Sequence, residues 1–374
     1  MTGPVVVAGG GLAGAAAAAL LASAGRPVTV FEREAKPAHK VCGEFISAEA
    51  IFYLKNLGLD LDSLGGHPIH GFRLVRGATI VSCELPFEGL GLSRRVLDEA
   101  LLRHCESCGA EVRRGRSLRF VEAGDRVELR EDGGSPFSAD TIFLATGKHD
   151  VARLRRKVSA VPDFIGLKLH MRLVPAQQAE LAGHVEILLL RTGYAGLQMV
   201  EAGTANLCLL VSRAQFQQAG GTLQSLLNDL QHSEPHLAKR MEGYLPLFDR
   251  PLSIAGVPYG FVHVPKSGDP KNLFRLGDQV GVIPSFTGDG MSIALHTSAV
   301  AATCYLQGGS AAEYHRTIHA DIADQIALAS LLYKLSASAP ARRMLMPLAR
   351  LLPGGLRLAA RSTRVSTRSI ERAS

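Results

Sequence analysis

A chain of 374 residues is long enough for two domains, or for one large domain carrying a substantial insertion. Its 47% hydrophobic and 20% charged residues are those of an ordinary globular protein, and it contains no tryptophan. The net charge of +7 equals the surplus of eight arginines over one acid, Glu371, between Arg342 and Ser374. Residues 1–341 are therefore neutral, which argues against a nucleic-acid-binding body.

The six cysteines (Cys42, Cys83, Cys105, Cys108, Cys208 and Cys304) show no framework spacing. Cys105 and Cys108 form a lone CxxC inside a helix-like run, with no second pair to complete a zinc site. Free thiols and no metal are the expectation, in a reducing cytoplasm. The apolar N-terminus lacks a basic leader, is broken by glycines, and is too short an apolar run to span a bilayer.

In chain order, Pro4–Ala8 reads as a buried parallel strand, Leu12–Ala24 as an alanine-rich helix ended by Gly25, and Val28–Glu32 as the next strand. Together they make one βαβ unit. Leu97–Cys108 reads as helix, and Glu111–Arg113, Arg126–Arg130 and Thr141–Ala145 as strands. From Val151 to Asp269 the pattern changes to alternating segments such as Val185–Leu190 and Ala205–Val211 between glycine turns, which predicts an antiparallel sheet. Phe274–Gly277 returns to strand, Gly281–Leu306 is a glycine-punctuated loop and helix, and the chain from Ala311 is mostly helical. The expected fold is α/β. Residues 1–66, 92–150 and 270–310 form a discontinuous Rossmann-type domain. Residues 67–91 and 151–269 form the inserted antiparallel substrate domain, and 311–374 a helical C-terminal segment.

Gly9-Gly10-Gly11-Leu12-Ala13-Gly14 fits GxGxxG between a strand and a helix. Gly9 permits the tight turn, Gly11 lets backbone approach a pyrophosphate, and Gly14 allows close helix–strand packing. The helix N-terminus at Leu12 and Ala13 offers unpaired N–H groups and a positive dipole. Glu32, with Arg33 beside it, closes the second strand where a carboxylate accepts from ribose hydroxyls.

A distant segment selects the dinucleotide. Leu276-Gly277-Asp278, followed by Pro284 and Gly288-Asp289-Gly290-Met291, resembles the second FAD motif of the para-hydroxybenzoate hydroxylase and geranylgeranyl reductase superfamily. The resemblance implies an FAD protein in which Asp278 binds ribityl hydroxyls and the glycine loop faces the flavin. Leu92–Asp98 is similar to the family's RxxLD helix start, which puts Arg94 near the cofactor. Lys40–Ser47 resembles the Cys-Gly-Gly segment of geranylgeranyl reductases, with Glu44 in place of the second glycine. Cys42 and Glu44 are accordingly the candidate catalytic pair, Glu44 as proton donor or base. Gly193–Val200 falls where those reductases carry YxWxFP. Tyr194 is kept, and Leu197 and Met199 replace aromatic positions. With Phe45 these residues are expected to line an apolar substrate pocket.

Lacking tryptophan, the chain has neither the WxWxIP segment of flavin-dependent halogenases nor the Baeyer–Villiger motif. There is no second GxGxxG, so NAD(P)H, the expected electron donor, would have to dock transiently, or another donor would reduce the flavin. Two reactions fit: monooxygenation of a lipophilic aromatic or polyketide-type substrate, free or carrier-bound, which is favoured, and flavin reduction of an activated or isoprenoid C=C bond. A flavin-fold protein that binds lipid or a partner without turnover is a third reading. In the tail, Arg343, Arg350, Arg357 and Arg364 recur every seven residues, with Arg361, Arg368 and Arg372 at spacings of three and four. Such a basic amphipathic face suits peripheral contact with anionic lipid, or simply closes the substrate domain.

Overall fold

The computed structural model describes residues 4–123, 126–132, 134–152, 154–156, 163–248 and 250–337, and beyond them 346–351, 354, 355, 357, 361, 364–366, 369, 370 and 372. Five parallel strands form the first sheet, in the order Leu273–Arg275, Thr141–Leu144, Val5–Ala8, Val28–Glu32 and Glu111–Arg114. Val5–Ala8 is buried along its whole length, as an unbroken apolar run at the centre of a parallel sheet must be. Strands 136 residues apart in sequence are thus neighbours, Val5 lying opposite Thr141.

Helix Leu12–Ser23 is buried on nearly every side. Its alanines let helix Gly290–Leu306 come close enough for Ser298 Oγ to donate to the carbonyl of Ala13 at 2.7 Å. On the other side, Gly14 presses against the first turn of the fingerprint: a Cβ added there would stand 1.8 Å from the carbonyl oxygen of Gly9. The 27-residue helix Ala311–Ala337 then seals the sheet, with Tyr314 Oη donating to the carbonyl of Arg275 at 2.6 Å.

The second, larger sheet runs Leu245–Pro246, Phe164–Arg172, Ala205–Ser212, Tyr194–Met199, His184–Leu189, His67–Arg76, Thr79–Gly91 and Phe45–Ile46. It is antiparallel as expected, except where His184–Leu189 meets His67–Arg76 in parallel. That join is where the hairpin 67–91, contributed from within the first domain's sequence, is stitched onto the strands 164–212. Four short helices between residues 175 and 240 were not foreseen; those at Leu223–Ser233 and Pro235–Arg240 cover one face of this sheet. A three-stranded antiparallel sheet, Leu118–Ala123, Arg126–Glu131 and Pro136–Ser138, is held to the parallel sheet by Asn272, whose side chain bonds Val127 and Ala139 backbone.

Three of the described arginines of the tail pair with acids of the body, although only Arg364 is drawn in from the surface. Arg364 pairs with Asp289 at 2.7 Å, Arg357 with Glu84 at 3.6 Å, and Arg372 with Asp321. Asp321 is itself the end of a buried relay in which Tyr53 Oη meets His296 Nδ1 at 2.7 Å and His296 Nε2 meets Asp321 at 3.0 Å. Arg343 and Arg368 lie outside the described residues. No helix among the described residues is long and apolar enough to cross a membrane.

Because the obstacle at Gly14 is backbone, Gly14→Ala should cost about 1–3 kcal/mol, the usual range for overpacking. It should also strip bound flavin. A urea midpoint equal to wild type, with full flavin absorbance, would contradict this packing.

Candidate active site

The end of strand Val5–Ala8 turns through Gly9, at φ +107°, into the helix Leu12–Ser23. Only glycine sits there without strain, and a Cβ would also strike the Ala145 carbonyl at 2.4 Å. Glu32 fixes the turn from the neighbouring strand: its carboxylate accepts from Gly10 N at 2.7 Å and from Glu34 N at 2.9 Å. No side chain caps the helix, so its first N–H groups have no side-chain acceptor where Gly11, Leu12 and Ala13 line the cavity. A Cβ added at Gly11 would lie 3.2 Å from Lys40 Nζ and 3.7 Å from Arg94 Nη2. Those two cations share Asp98, which takes Arg94 at 2.7 Å and Lys40 at 2.8 Å. Burial raises the Asp98 carboxyl, but Arg94 and Lys40 outweigh it and hold it below its usual range. Two cations on one carboxylate leave a net positive charge where a pyrophosphate would lie, so the cradle fits a dinucleotide.

This cradle is one end of a single cavity of about 1000 Å³. The cavity runs from Glu32 and Arg33 past Gly11 and Arg94 to Cys42, Asp278 and Met291. It ends on the exposed face of the large sheet, at Tyr194, Gln198 and Cys208. Leu348, Arg357 and Arg364 of the tail complete its wall, Arg364 lying 4.2 Å over the ring of Phe87.

Where the two sheets meet, the segment Val41–Glu44 is clasped on every carbonyl. Val41 O accepts from Lys148 Nζ at 3.0 Å, Gly43 O from Asn206 Nδ2 at 2.8 Å, and Glu44 O from Gln198 Nε2 at 2.7 Å. Asn206 also reaches Cys42 O, at 3.2 Å. The Glu44 side chain is fully buried. Its Oε1 pairs with Lys168 and accepts from Arg94 N at 2.8 Å, and its Oε2 lies 2.6 Å from His170 Nε2. Burial alone would raise the Glu44 carboxyl, yet the His170 hydrogen bond and the Lys168 charge bring it below its ordinary value. His39 stands edge-on to His170 at 4.9 Å, and burial with the Lys168 charge pushes it down to about 4, leaving a neutral imidazole on the cavity wall.

Residues 2–160 match the FAD binding domain family. The chain is an FAD-dependent oxidoreductase. It is 24% identical over 82% of its length to menaquinone reductase of Mycolicibacterium smegmatis, spanning 76% of that protein. It is 23% identical over 78% of its length to squalene monooxygenase of Mus musculus, of which it spans only 52%, about half. Among solved structures, the flavin-dependent brominase Bmp2 superposes with a TM-score of 0.76 at 16% identity, over 99% of this chain and 96% of that one. At that identity the likeness is one of fold.

Within this flavoenzyme, Gly9, Gly11, Leu12, Ala13, Glu32, Arg33, Arg94, Gly277, Asp278, Gly288, Gly290 and Met291 all face the cavity, as do Cys42, Glu44, Phe45 and Tyr194. Gly14 packs as expected and does not line the cavity. Three positions need correction. Pro284 is buried outside the wall, its carbonyl accepting from Thr287 N. Leu197 and Met199 belong to the core under the helices. Side chains alternate along a strand, so with Tyr194, Gly196 and Gln198 on the cavity face, residues 195, 197 and 199 must face away. Glu44 is also no free acid, since both its oxygens are engaged and its proton is already gone. Lys148, Lys168, His170, Gln198, Asn206 and Tyr259 escaped the sequence reading. Alternation from Tyr194 would have found Gln198, whereas nothing local marks the others.

Removing the charge of Glu44 leaves Lys168 buried without its partner, so Glu44→Gln should destabilise the fold by about 3 kcal/mol at neutral pH. A lowered carboxyl contributes stability above its unfolded value and loses it as pH falls through the folded one. Glu186 behaves alike: burial raises it, but His236 and Arg240 hold it near 2. The urea midpoint should therefore stay level down to about pH 4.5 and drop between there and about pH 2. Glu44→Gln should show a shallower drop; an identical pH profile would remove Glu44 from the seam.

Proposed function

We propose that the protein is a monooxygenase that inserts one oxygen atom into a lipophilic, ring-containing substrate. The observation that carries this reading is the continuity of the FAD cradle with an apolar chamber on the large sheet. Phe72, Leu74, Ile187, Leu189 and Phe286 wall that chamber. FAD bound in the cradle supplies a two-electron carrier able to activate dioxygen. What the chain adds is shelter and position. Apolar walls exclude water from the site of transfer, and the tail closes the mouth through Arg364 on Asp289. Asp278 on the cavity wall would hold the ribityl hydroxyls, and the helix beginning at Gly290 would turn its positive end toward the flavin. With no second fingerprint in the sequence, NAD(P)H as electron donor would dock only transiently. The chamber's breadth also suits a substrate delivered on a carrier.

A second reading, reduction of an activated or isoprenoid double bond, is favoured by Cys42 on the cavity wall, held by Glu44 N at 3.4 Å, and by the menaquinone reductase relative. Halogenation is supported by fold alone and lacks its tryptophan segment.

Oxygen decides between the readings. Chemically reduced holoenzyme should leave a lipophilic phenol or quinol unchanged under anaerobic conditions. Admitting oxygen should yield a product heavier by one oxygen atom, with hydrogen peroxide as the uncoupled by-product. A product that gains two hydrogens without oxygen, at the rate of flavin reoxidation, would replace this proposal with the reductase.

A further inference from the structure

The tail turns two different faces to its surroundings. Residues 346–351 are helical, and Met346 and Ala349 are buried against Leu74 and Val81 of the hairpin 67–91. That face closes the chamber. On the rest of the helix Pro347, Leu348, Arg350 and Leu351 are exposed, Leu351 at 78%. Leu348 and Leu351 are one turn apart and form a second apolar stripe, which begins on the cavity wall and ends in solvent. Helix Ala311–Ala337 repeats the pattern near its end: Leu335 lines the cavity, and Leu331, one turn earlier, lies outside it and is 53% exposed. Two apolar stripes thus run from one cavity onto the surface, which singly scattered leucines would not do.

The charge around these stripes has one sign. Between Asp324 and Glu371 the chain has no acid and eight basic residues, Lys334 and seven arginines. Arg364 is held by Asp289, but Lys334, Arg350, Arg357 and Arg361 are exposed, Arg357 even while it touches Glu84 at 3.6 Å. The leucines therefore stand among cations, with no carboxylate in their own stretch of chain. Folding accounts for neither feature, since a surface helix ordinarily turns its leucines to the core and its charges to water.

We propose that this face docks on an anionic lipid bilayer, with Leu331, Leu335, Leu348 and Leu351 entering the acyl region and Lys334, Arg350, Arg357 and Arg361 meeting the lipid phosphates. A bilayer takes both features at once: apolar side chains enter its boundary by about 5–10 Å while the headgroups pair with the cations. The contact is peripheral, as no described helix is long and apolar enough to cross. One segment then has two tasks, Met346 and Ala349 closing the chamber and Leu348 and Leu351 holding it against the membrane. The inference rests on the monooxygenase reading for its purpose alone: a lipophilic substrate passes from acyl chains to apolar chamber without crossing water.

The test uses the full FAD-loaded chain and flotation with vesicles of phosphatidylcholine, alone or with about a third phosphatidylglycerol. Wild type should float with the anionic vesicles at least about tenfold more than with the neutral ones, and about 0.5 M NaCl should release most of it. Leu331→Gln combined with Leu351→Gln should keep flavin content and melting temperature while losing at least about tenfold in partition. Because the chain has no tryptophan, Leu351→Trp supplies a single reporter, whose emission should move to the blue on anionic vesicles and be quenched by brominated acyl chains. Leu245→Trp is the control, and its emission should stay where it is: Leu245 pairs with Arg172, at the other end of the strand from Phe164, whose ring meets Tyr333 at 5.9 Å. Flotation with neither vesicle, equal flotation with both, or unchanged flotation of the double leucine variant would overturn the proposal. So would an unmoved emission from Leu351→Trp on vesicles that carry the protein, since adsorption would then be electrostatic alone. Binding to an acidic carrier protein without flotation would assign the face to a protein partner instead. None of these readouts involves oxygen or turnover, so their failure is separate from failure of the monooxygenase reading.

Discussion

Glu44 and Lys168 meet in the seam between the two sheets, with no exposed surface on either side chain. Taking both charges out of water costs several kcal/mol per ion, and the residue carrying the acid adopts φ +63°, a conformation that favours glycine. Such a pair persists only where the surroundings over-determine it. Here they do: Arg94 N, His170, Gln198 and Leu92 N all bond to the same residue. Strands Phe164–Arg172 and Tyr194–Met199 and helix Arg94–Ser107 are thereby referred to one point. That point fixes Cys42 and the peptide groups that face the flavin site.

The same economy governs the cofactor cradle. Arg94 supplies its backbone to Glu44 and its guanidinium to Asp98, so the seam and the pyrophosphate region share a residue. Cradle and chamber are thereby joined through a chain of charged hydrogen bonds. The tail joins this unit from outside, three of its arginines taken by Glu84, Asp289 and Asp321. Part of the positive charge of the linear chain thus becomes paired charge in the fold.

What could be read from the linear chain was whatever a local run of backbone must do. The turn at Gly9, the contact at Gly14 and the carboxylate at Glu32 lie within one βαβ unit, and each is dictated by its neighbours. The partners of Glu44 lie 124 and 126 residues away, on a strand whose pattern reads only as buried β structure. Leu197 and Met199 were misplaced for another reason. A motif carried over as a block ignores that adjacent strand residues face opposite ways, and Tyr194 can share a surface with Gln198 but not with them. The acids that take the tail arginines are scattered over three elements, so composition located the charge without showing its direction.

That alternation separates two burdens that are usually entangled. On strands Tyr194–Met199 and Ala205–Ser212, one set of side chains packs against helices while the intervening set looks into the chamber. Positions 194, 196 and 208 can change size or polarity with little effect on the core beneath. Ala195, Leu197 and Leu207, each with no exposed surface, hold that core unchanged. A lineage of such enzymes can therefore explore new substrates along one face of a strand while its stability is kept on the other.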